Sequence, residues 1–322
     1  MQQNNKQYDV VAYGNALVDI LVQVNNYEII EKYNMQKGSM QLISADELAG
    51  YSILFTNNTQ KSGGSAANTA TAIASLGGNV GFIGKVTNDE LGQFFIDDLA
   101  KANVTFNAKF SDEHTEVTGC SLIIITPDND RTMNSYLGIA PFIEQSDIDE
   151  AMIKNSKVNY FEGYLWDKQT TKQSIEFAMD LAKKHDKQVA FSLSDPFCVE
   201  RHRDEFRDLI NKYVDIVFSN KDEALQLFDC NNIQDAIDGY RQITEIAIIT
   251  LGAEGSIIIS QTDVINIAAP NDLNVIDTTG AGDIYAGGFL YGYITANKSL
   301  QESGEIASQQ AAKIIQKIGG RL

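Results

Sequence analysis

Two hydrophobic periods alternate along the second half of this chain. Short apolar runs at 158–161, 189–193, 216–219 and 246–251 alternate with stretches of helical spacing at 170–185, 205–212, 221–228 and 233–242. Strand-length runs separated by helix-length ones predict a parallel sheet with crossover helices on both faces. Residues 257–260 and 264–267 read as a hairpin, and helices at 284–294 and 302–318 close the pattern. In the first half, the apolar run 8–13 is the first strand. Segments 20–24, 39–43, 104–110 and 117–125 are strand-like and stand apart from the helix-rich pattern; 121–126 (S-L-I-I-I-T) is strongly β-branched. Ser44 with Glu47 and Thr87 with Glu90 have capping-box spacing and predict helix starts. Leu91, Phe95 and Leu99 form one apolar stripe, which is core rather than site. The chain shows no internal repeat or long linker.

The pattern accounts for an α/β fold, and bulk properties narrow its setting. The chain has 322 residues, 43% hydrophobic, enough for one large core with a small appendage. A net charge of −18 disfavours nucleic acid and anionic membrane as partners. The charge is spread along the chain, so an anionic ligand needs a local positive source. Cys120, Cys198 and Cys230 are odd in number and lack metal-ligand spacing, which fits a reducing compartment. The first residues, M-Q-Q-N-N-K-Q-Y-D, do not resemble a signal peptide, and no run approaches the ~20 apolar residues of a membrane span. A cytoplasmic location is expected. His114, His185 and His202 are scattered and read as surface residues.

The stretch with most chemistry is 276–292, I-D-T-T-G-A-G-D-I-Y-A-G-G-F-L-Y-G. It predicts a loop that becomes the N-terminus of a helix. Gly280 and Gly282 let an anion lie against the main chain, while unpaired N–H groups and the helix dipole attract it. A carboxylate beside such a cradle repels phosphate, so Asp283 makes sense as a base for a hydroxyl that attacks the phosphate. Two better-known glycine motifs fail. The dinucleotide fingerprint needs a glycine where Tyr285 stands, and the P-loop pattern at 79–86 has Asn79 and Val86 at positions that require Gly and Ser or Thr.

Other candidates carry bland readings beside functional ones. Asp19 interrupts the apolar stretch 16–24, as a turn residue or a site. Gly63 and Gly64 open an Ala-rich helix on whose first turn Asn68 falls, either for tight packing or for close approach of a polyol. Asn220 and Glu223 follow a strand and read as a capping box. Thr250 and Gly252 lie at a strand end and a hairpin turn. Arg131 falls in the expected hairpin tip 128–131, from which 132–137 return. Asn15, Asn220 and Gly252 each fall just after a predicted strand, where open α/β sheets bind ligands.

The motifs D-T-T-G-A-G-D at 277–283 and G-G-S-A-A-N-T-A at 63–70 resemble the ribokinase-like (PfkB) carbohydrate kinase family over nearly the whole chain. The segments 14–20 (G-N-A-L-V-D-I), 160–167 (Y-F-E-G-Y-L-W-D) and 193–206 (L-S-D-P-F-C-V-E-R-H-R-D-E-F) are similar to the adenosine kinase branch. The resemblance implies a doubly wound, mostly parallel sheet flanked by helices in one domain, 1–322, with a β lid from about 16–43 and 104–135. It implies ATP and Mg²⁺ as cosubstrate and metal. Asp283 would be the base and Gly280, Ala281 and Gly282 the anion hole. Asn15, Asp19, Gly63, Gly64 and Asn68 would contact substrate, and Arg131 would fold toward the transferred phosphate. Asn220, Thr250, Gly252, Gly280 and Gly282 would line the ATP site, and Glu223 would serve Mg²⁺ through water. Asp277 matches a position that binds a monovalent cation in part of the family, making K⁺ an expected activator. The acceptor implied is a primary hydroxyl of an adenosine-like nucleoside. The alternatives are a free sugar (ribose, fructose or ketodeoxygluconate) and an inactive sensor on the same fold. Phe142, Phe161 and Trp166 are candidates to clamp a base. Monomer and homodimer are both compatible with a lid sheet.

Overall fold

The computed structural model describes residues 6–51, 54, 58–110, 115–128, 130–317 and 319–321. His114, Asn129 of the expected hairpin tip and Ile318 of the expected last helix lie outside them.

The strands in chain order begin with β1 (Tyr8–Tyr13), β2 (Leu17–Gln23), β3 (Met40–Leu42), β4 (Thr59–Gly63), β5 (Val80–Ile83), β6 (Val104–Phe106) and β7 (Thr118–Ile125). They continue with β8 (Arg131–Gly138), β9 (Ser156–Glu162), β10 (Gln188–Ser192), β11 (Ile216–Asn220), β12 (Ile246–Thr250), β13 (Ser256–Ser260) and β14 (Val264–Ile267). The large sheet runs β14-β13-β12-β11-β10-β9-β1-β5-β6, parallel from β6 to β12, with an antiparallel hairpin at the far edge. Alternate residues of β1 feed two cores: Val10 and Ala12 pack on one face, Val11 and Tyr13 on the other. The apolar runs that predicted the later strands are thus strands buried on both faces.

β1 pairs with β5 on one side and with β9 on the other. That is the point where the strand order reverses and a crevice opens at the carboxyl ends of the strands. A second sheet, β3-β8-β7-β2-β4, carries Asp19 on β2. Its strand β4, T-Q-K-S-G, has little β propensity and is held by antiparallel pairing to β2, for instance Leu17 opposite Gly63. The expected strand at 104–110 is shorter and lies elsewhere: β6 pairs with β5 at the edge of the large sheet.

Two helices decide the site. Helix Ser65–Ser75 and helix Ala281–Leu290 lie side by side, so close that a Cβ on Gly287 would come within 2.6 Å of Ala72 Cβ and 2.9 Å of Thr69 O. The small residues of S-A-A-N-T-A-T-A and A-G-G therefore work as a packing surface that brings two motifs, more than two hundred residues apart, into register. The helix expected at 205–212 is longer, Pro196–Tyr213, because Asp195 accepts from Cys198 N and Pro196 suits the first turn. The last helix is Leu300–Ile314, ending short of the expected 318.

Candidate active site

Gly280 is the N-cap of helix Ala281–Leu290 and takes a left-handed φ of 74°. A Cβ there would lie 2.8 Å from Gly320 Cα, so glycine is required both by conformation and by space. Ala281 N–H donates to Thr278 O within the turn, while the N–H groups of Gly282 and Asp283 find no acceptor among the described residues. Beside Gly282 nothing lies within 4 Å of where a Cβ would be. This is an open cradle of amide dipoles at a helix N-terminus, suited to an anion.

Asp283 sits on the first turn of that helix. Its Oδ1 accepts from Ser65 Oγ at 2.6 Å and its Oδ2 from Asn68 Nδ2 at 3.0 Å. Both donors come from the neighbouring helix, which is why the Gly–Ala packing matters. The carboxylate is half-buried at the cleft floor. Desolvation pushes it up to about 6, against the pull of the Ser65 and Asn68 hydrogen bonds and the Arg321 charge. Burial also pushes Asp19 up to about 6, opposed by Arg321 and Arg131. A Cβ on Gly63 would meet Asp19 Oδ1 at 2.3 Å, so this glycine makes room for the carboxylate.

Glu162, at the end of β9, is an addition to the residues expected from sequence. Its two oxygens accept from Asn15 N and Ala66 N, each at 2.7 Å, tying β1 to the first turn of helix Ser65–Ser75. Desolvation raises it to about 7. Its signal was a lone charge at the end of the apolar run Y-F-E. Gly64, with φ 94°, packs against Asn15, where a Cβ would be 2.2 Å from Asn15 O. Asn15 Oδ1 is buried without a hydrogen-bond partner.

On the other flank, Asn220 and Glu223 form a reciprocal capping box, with Glu223 N donating to Asn220 Oδ1 and Asn220 N to Glu223 Oε2, both at 2.9 Å. Glu223 is buried, lifted to about 7 by desolvation, and still borders the cleft. Thr250 lines the same cleft and Gly252 takes a left-handed φ of 60° in the following turn.

Arg131 is the first residue of β8, opposite Ile125, rather than part of the tip. Its Nη2 lies 3.0 Å from Asp277 Oδ2, a charge contact without hydrogen-bond geometry. Asp277 also accepts from Thr279 N at 3.0 Å and Gly319 N at 2.8 Å.

The crevice has a volume of about 400 Å³. Asp19, Asn68, Glu223, Thr250 and the 280–283 turn share it with apolar walls from Ile123, Met133, Phe218 and Tyr285. None of the aromatic residues proposed as a base clamp borders it. Phe161 is core, stacked on Tyr13 at 4.2 Å, and Trp166 packs edge-on against Phe206. Phe142 lies under Lys168 at 3.9 Å.

A cleft carboxylate beside an anion cradle, at the switch point of an α/β sheet, suits a phosphotransferase of the sugar kinase class. The chain belongs to the pfkB family of carbohydrate kinases, whose model matches residues 33–322. Among solved structures it is similar to an adenosine kinase from Sinorhizobium meliloti, 40% identical, covering 98% of this chain and 96% of that one with a TM-score of 0.89. It is also similar to a probable sugar kinase from Rhizobium etli CFN 42, 37% identical, covering 98% and 95%, TM-score 0.88. A curated relative, 5-dehydro-2-deoxygluconokinase from Bacillus subtilis strain 168, is 26% identical over 97% of this chain and 91% of that protein. Kinases of this family use ATP and Mg²⁺ and act on small sugars or nucleosides. No helix among the described residues is long and apolar enough to cross a membrane.

Proposed function

We propose that the chain moves the γ-phosphate of ATP to the primary hydroxyl of an adenosine-like nucleoside. The observation that carries the chemistry is Asp283, held by Ser65 and Asn68 on the open helix N-terminus. Asp283 takes the proton of the acceptor hydroxyl, whose oxygen attacks the γ-phosphorus in line as the bond to the β,γ-bridging oxygen breaks and ADP leaves. The N–H groups around Gly280, Ala281, Gly282 and Asp283 then meet the charge developing on the phosphoryl oxygens. A carboxylate at about 6 is mostly ionised at neutral pH yet basic enough to share a proton in the transition state.

Asn15, with its unpartnered Oδ1, Asp19, Gly63, Gly64 and Asn68 hold the acceptor hydroxyls. Asn220, Thr250, Gly252 and the 280–282 turn hold the nucleotide. Among the described residues no group of three or more His, Cys, Asp or Glu side chains has metal-binding geometry, so Mg²⁺ would take its ligands chiefly from phosphate and water. Glu223, buried at the cleft edge, fits a role of orienting such a water. When bound, Mg²⁺ neutralises part of the phosphate charge. Arg131 leaves Asp277 for the transferred phosphate as the small sheet β3-β8-β7-β2-β4 closes as a lid and excludes water. A monovalent cation such as K⁺ then has Asp277 available. The cytoplasm supplies ATP and keeps the free thiols of Cys120, Cys198 and Cys230 reduced.

The nucleoside reading is favoured over a sugar acid by the cleft wall. Asp19, Glu223 and Asp283 line it and, among the described residues, no lysine or arginine does; Arg131 goes to the transferred phosphate, so an acceptor carboxylate meets chiefly like charge in the cleft wall. A neutral nucleoside meets no such penalty, and Ile123 and Met133 offer apolar surface to a base. The test is ADP release with adenosine, other nucleosides, ribose, fructose, 2-keto-3-deoxygluconate and 5-dehydro-2-deoxygluconate. Adenosine should give the highest kcat/KM. A sugar acid outrunning every nucleoside would refute the acceptor assignment while leaving the kinase chemistry intact.

A further inference from the structure

Arg321, the penultimate residue of the sequence, lies against the active-site helix pair, a position nothing in the local sequence announces. Residues 319–321 pass behind the 280–283 turn. Gly319 N donates to Asp277, and Gly320 fills the space beside Gly280 that a Cβ would need. Arg321 then reaches inward. Its Nε donates to Asn68 Oδ1 at 3.0 Å, and its Nη1 bonds Ser62 Oγ and lies 3.3 Å from Asp98 Oδ2. Nη2 is buried with no partner.

The chemistry of these contacts has one consequence. A guanidinium only donates, so it accepts no bond from the Asn68 amide nitrogen. Asn68 must turn its oxygen to Arg321, and its nitrogen is thereby directed at Asp283 Oδ2, 3.0 Å away. Without Arg321, the amide oxygen loses its donor and Asn68 is held only through its nitrogen, so its grip on the orientation of Asp283 loosens. Arg321 also brings a positive charge among Asp19, Asp98 and Asp283, and keeps it at neutral pH although burial lowers it to about 10.

We propose that Arg321 is a positioning residue for phosphoryl transfer: through Asn68 it fixes the orientation of the Asp283 carboxylate. The proposal rests on Asp283 being the base. It requires the 319–321 segment to be docked for full turnover, which makes that segment part of the active site.

The test uses the full chain with ATP and adenosine, and 5-dehydro-2-deoxygluconate where adenosine is not turned over. Arg321→Met should lower kcat about 10- to 100-fold, the range seen when an outer partner of a catalytic group is lost. The KM for ATP should change less than about threefold, since Arg321 does not line the nucleotide side. The acid limb of the kcat profile should move to higher pH, because a cation favouring the Asp283 charge has gone. Arg321→Lys should recover part of the charge effect but less of kcat, having no fixed fork to hold Asn68 and Asp98 together. Arg321→Met leaves Asp98 short of a cation. If that protein does not fold, Arg321→Met with Asp98→Asn carries the same test. A folded variant with unchanged kcat and acid limb overturns the proposal. If Asp283→Asn retains turnover, the base assignment has failed instead, and the two failures are told apart.

Discussion

The pH dependence of turnover follows from the surroundings of Asp283. An ordinary aspartate, near 3.8, would be almost wholly ionised at pH 5. In this site desolvation by the two packed helices raises it to about 6, opposed by the Ser65 and Asn68 hydrogen bonds and the Arg321 charge. The base must be ionised to accept the proton, so activity falls as pH falls through the folded-state value. At pH 7 about nine-tenths of the sites would be active, and at pH 5 about one-tenth, so kcat should drop roughly tenfold across that interval. Ser65→Ala sharpens the argument. The Ser65 hydroxyl donates to Asp283 Oδ1 at 2.6 Å, and a hydrogen bond to the ionised form is worth roughly 1.5–3 kcal/mol. One pKa unit corresponds to about 1.4 kcal/mol, so removing the bond should move the acid limb up by about one unit or more. The assay is steady-state ADP release from pH 4.5 to 8.5, with refolding after each incubation checked by return to pH 7.5. A limb near 4 in the wild type, or one unmoved in Ser65→Ala, would refute the link between this environment and the chemistry.

Other consequences are as direct. Gly282→Ala fits the empty space beside residue 282, so its Tm should match the wild type within a degree or two, while kcat/KM for ATP falls at least about tenfold as the methyl occupies the phosphate cradle. Gly280→Ala meets Gly320 and a φ of 74°, and urea unfolding should show a loss of about 1–3 kcal/mol. Glu162 is raised from 4.5 to about 7, so the folded protein holds its proton more tightly than the unfolded chain. Stability should therefore fall as pH rises from about 4.5 to 7, and differential scanning fluorimetry should give a higher Tm at pH 5.5 than at 7.5. In Glu162→Gln the Tm drops at every pH, because one of the N–H groups of Asn15 and Ala66 loses its acceptor, and the pH-dependent part shrinks.

How far the sequence carried these conclusions depends on the range of each signal. Local periodicity was enough for the parallel strands β1 and β9 to β12, since a strand buried on both faces reads as an apolar run, but it passed over β5, only four residues long. It was blind to β4, whose T-Q-K-S-G owes its conformation to pairing with β2. It placed 104–110 with the small sheet because an edge strand of three residues, Val104–Phe106, carries no pattern that says which sheet it joins. The glycine turn and Asp283 were legible because their spacing is chemically demanding. Ser65 lay inside a motif already singled out, but its role depends on a helix neighbour set by Gly287 against Ala72. The aromatic candidates failed for the opposite reason: Phe161 and Trp166 have the composition of a binding clamp and the burial of core. Arg321 was beyond reach, because its contact with Asn68 spans 253 residues and leaves no trace near either end.

The central claim is that Asp283 removes the acceptor's proton. Asparagine at this position can turn its nitrogen toward the Ser65 hydroxyl and its oxygen toward Asn68 Nδ2, so the fold should survive without the base. The deciding measurement is kcat of Asp283→Asn beside the Kd for ATP from isothermal titration calorimetry. The account predicts ATP affinity within a few-fold of wild type and turnover lower by about 10²–10⁴. Turnover above one-tenth of wild type, in a protein that still binds ATP, would contradict it.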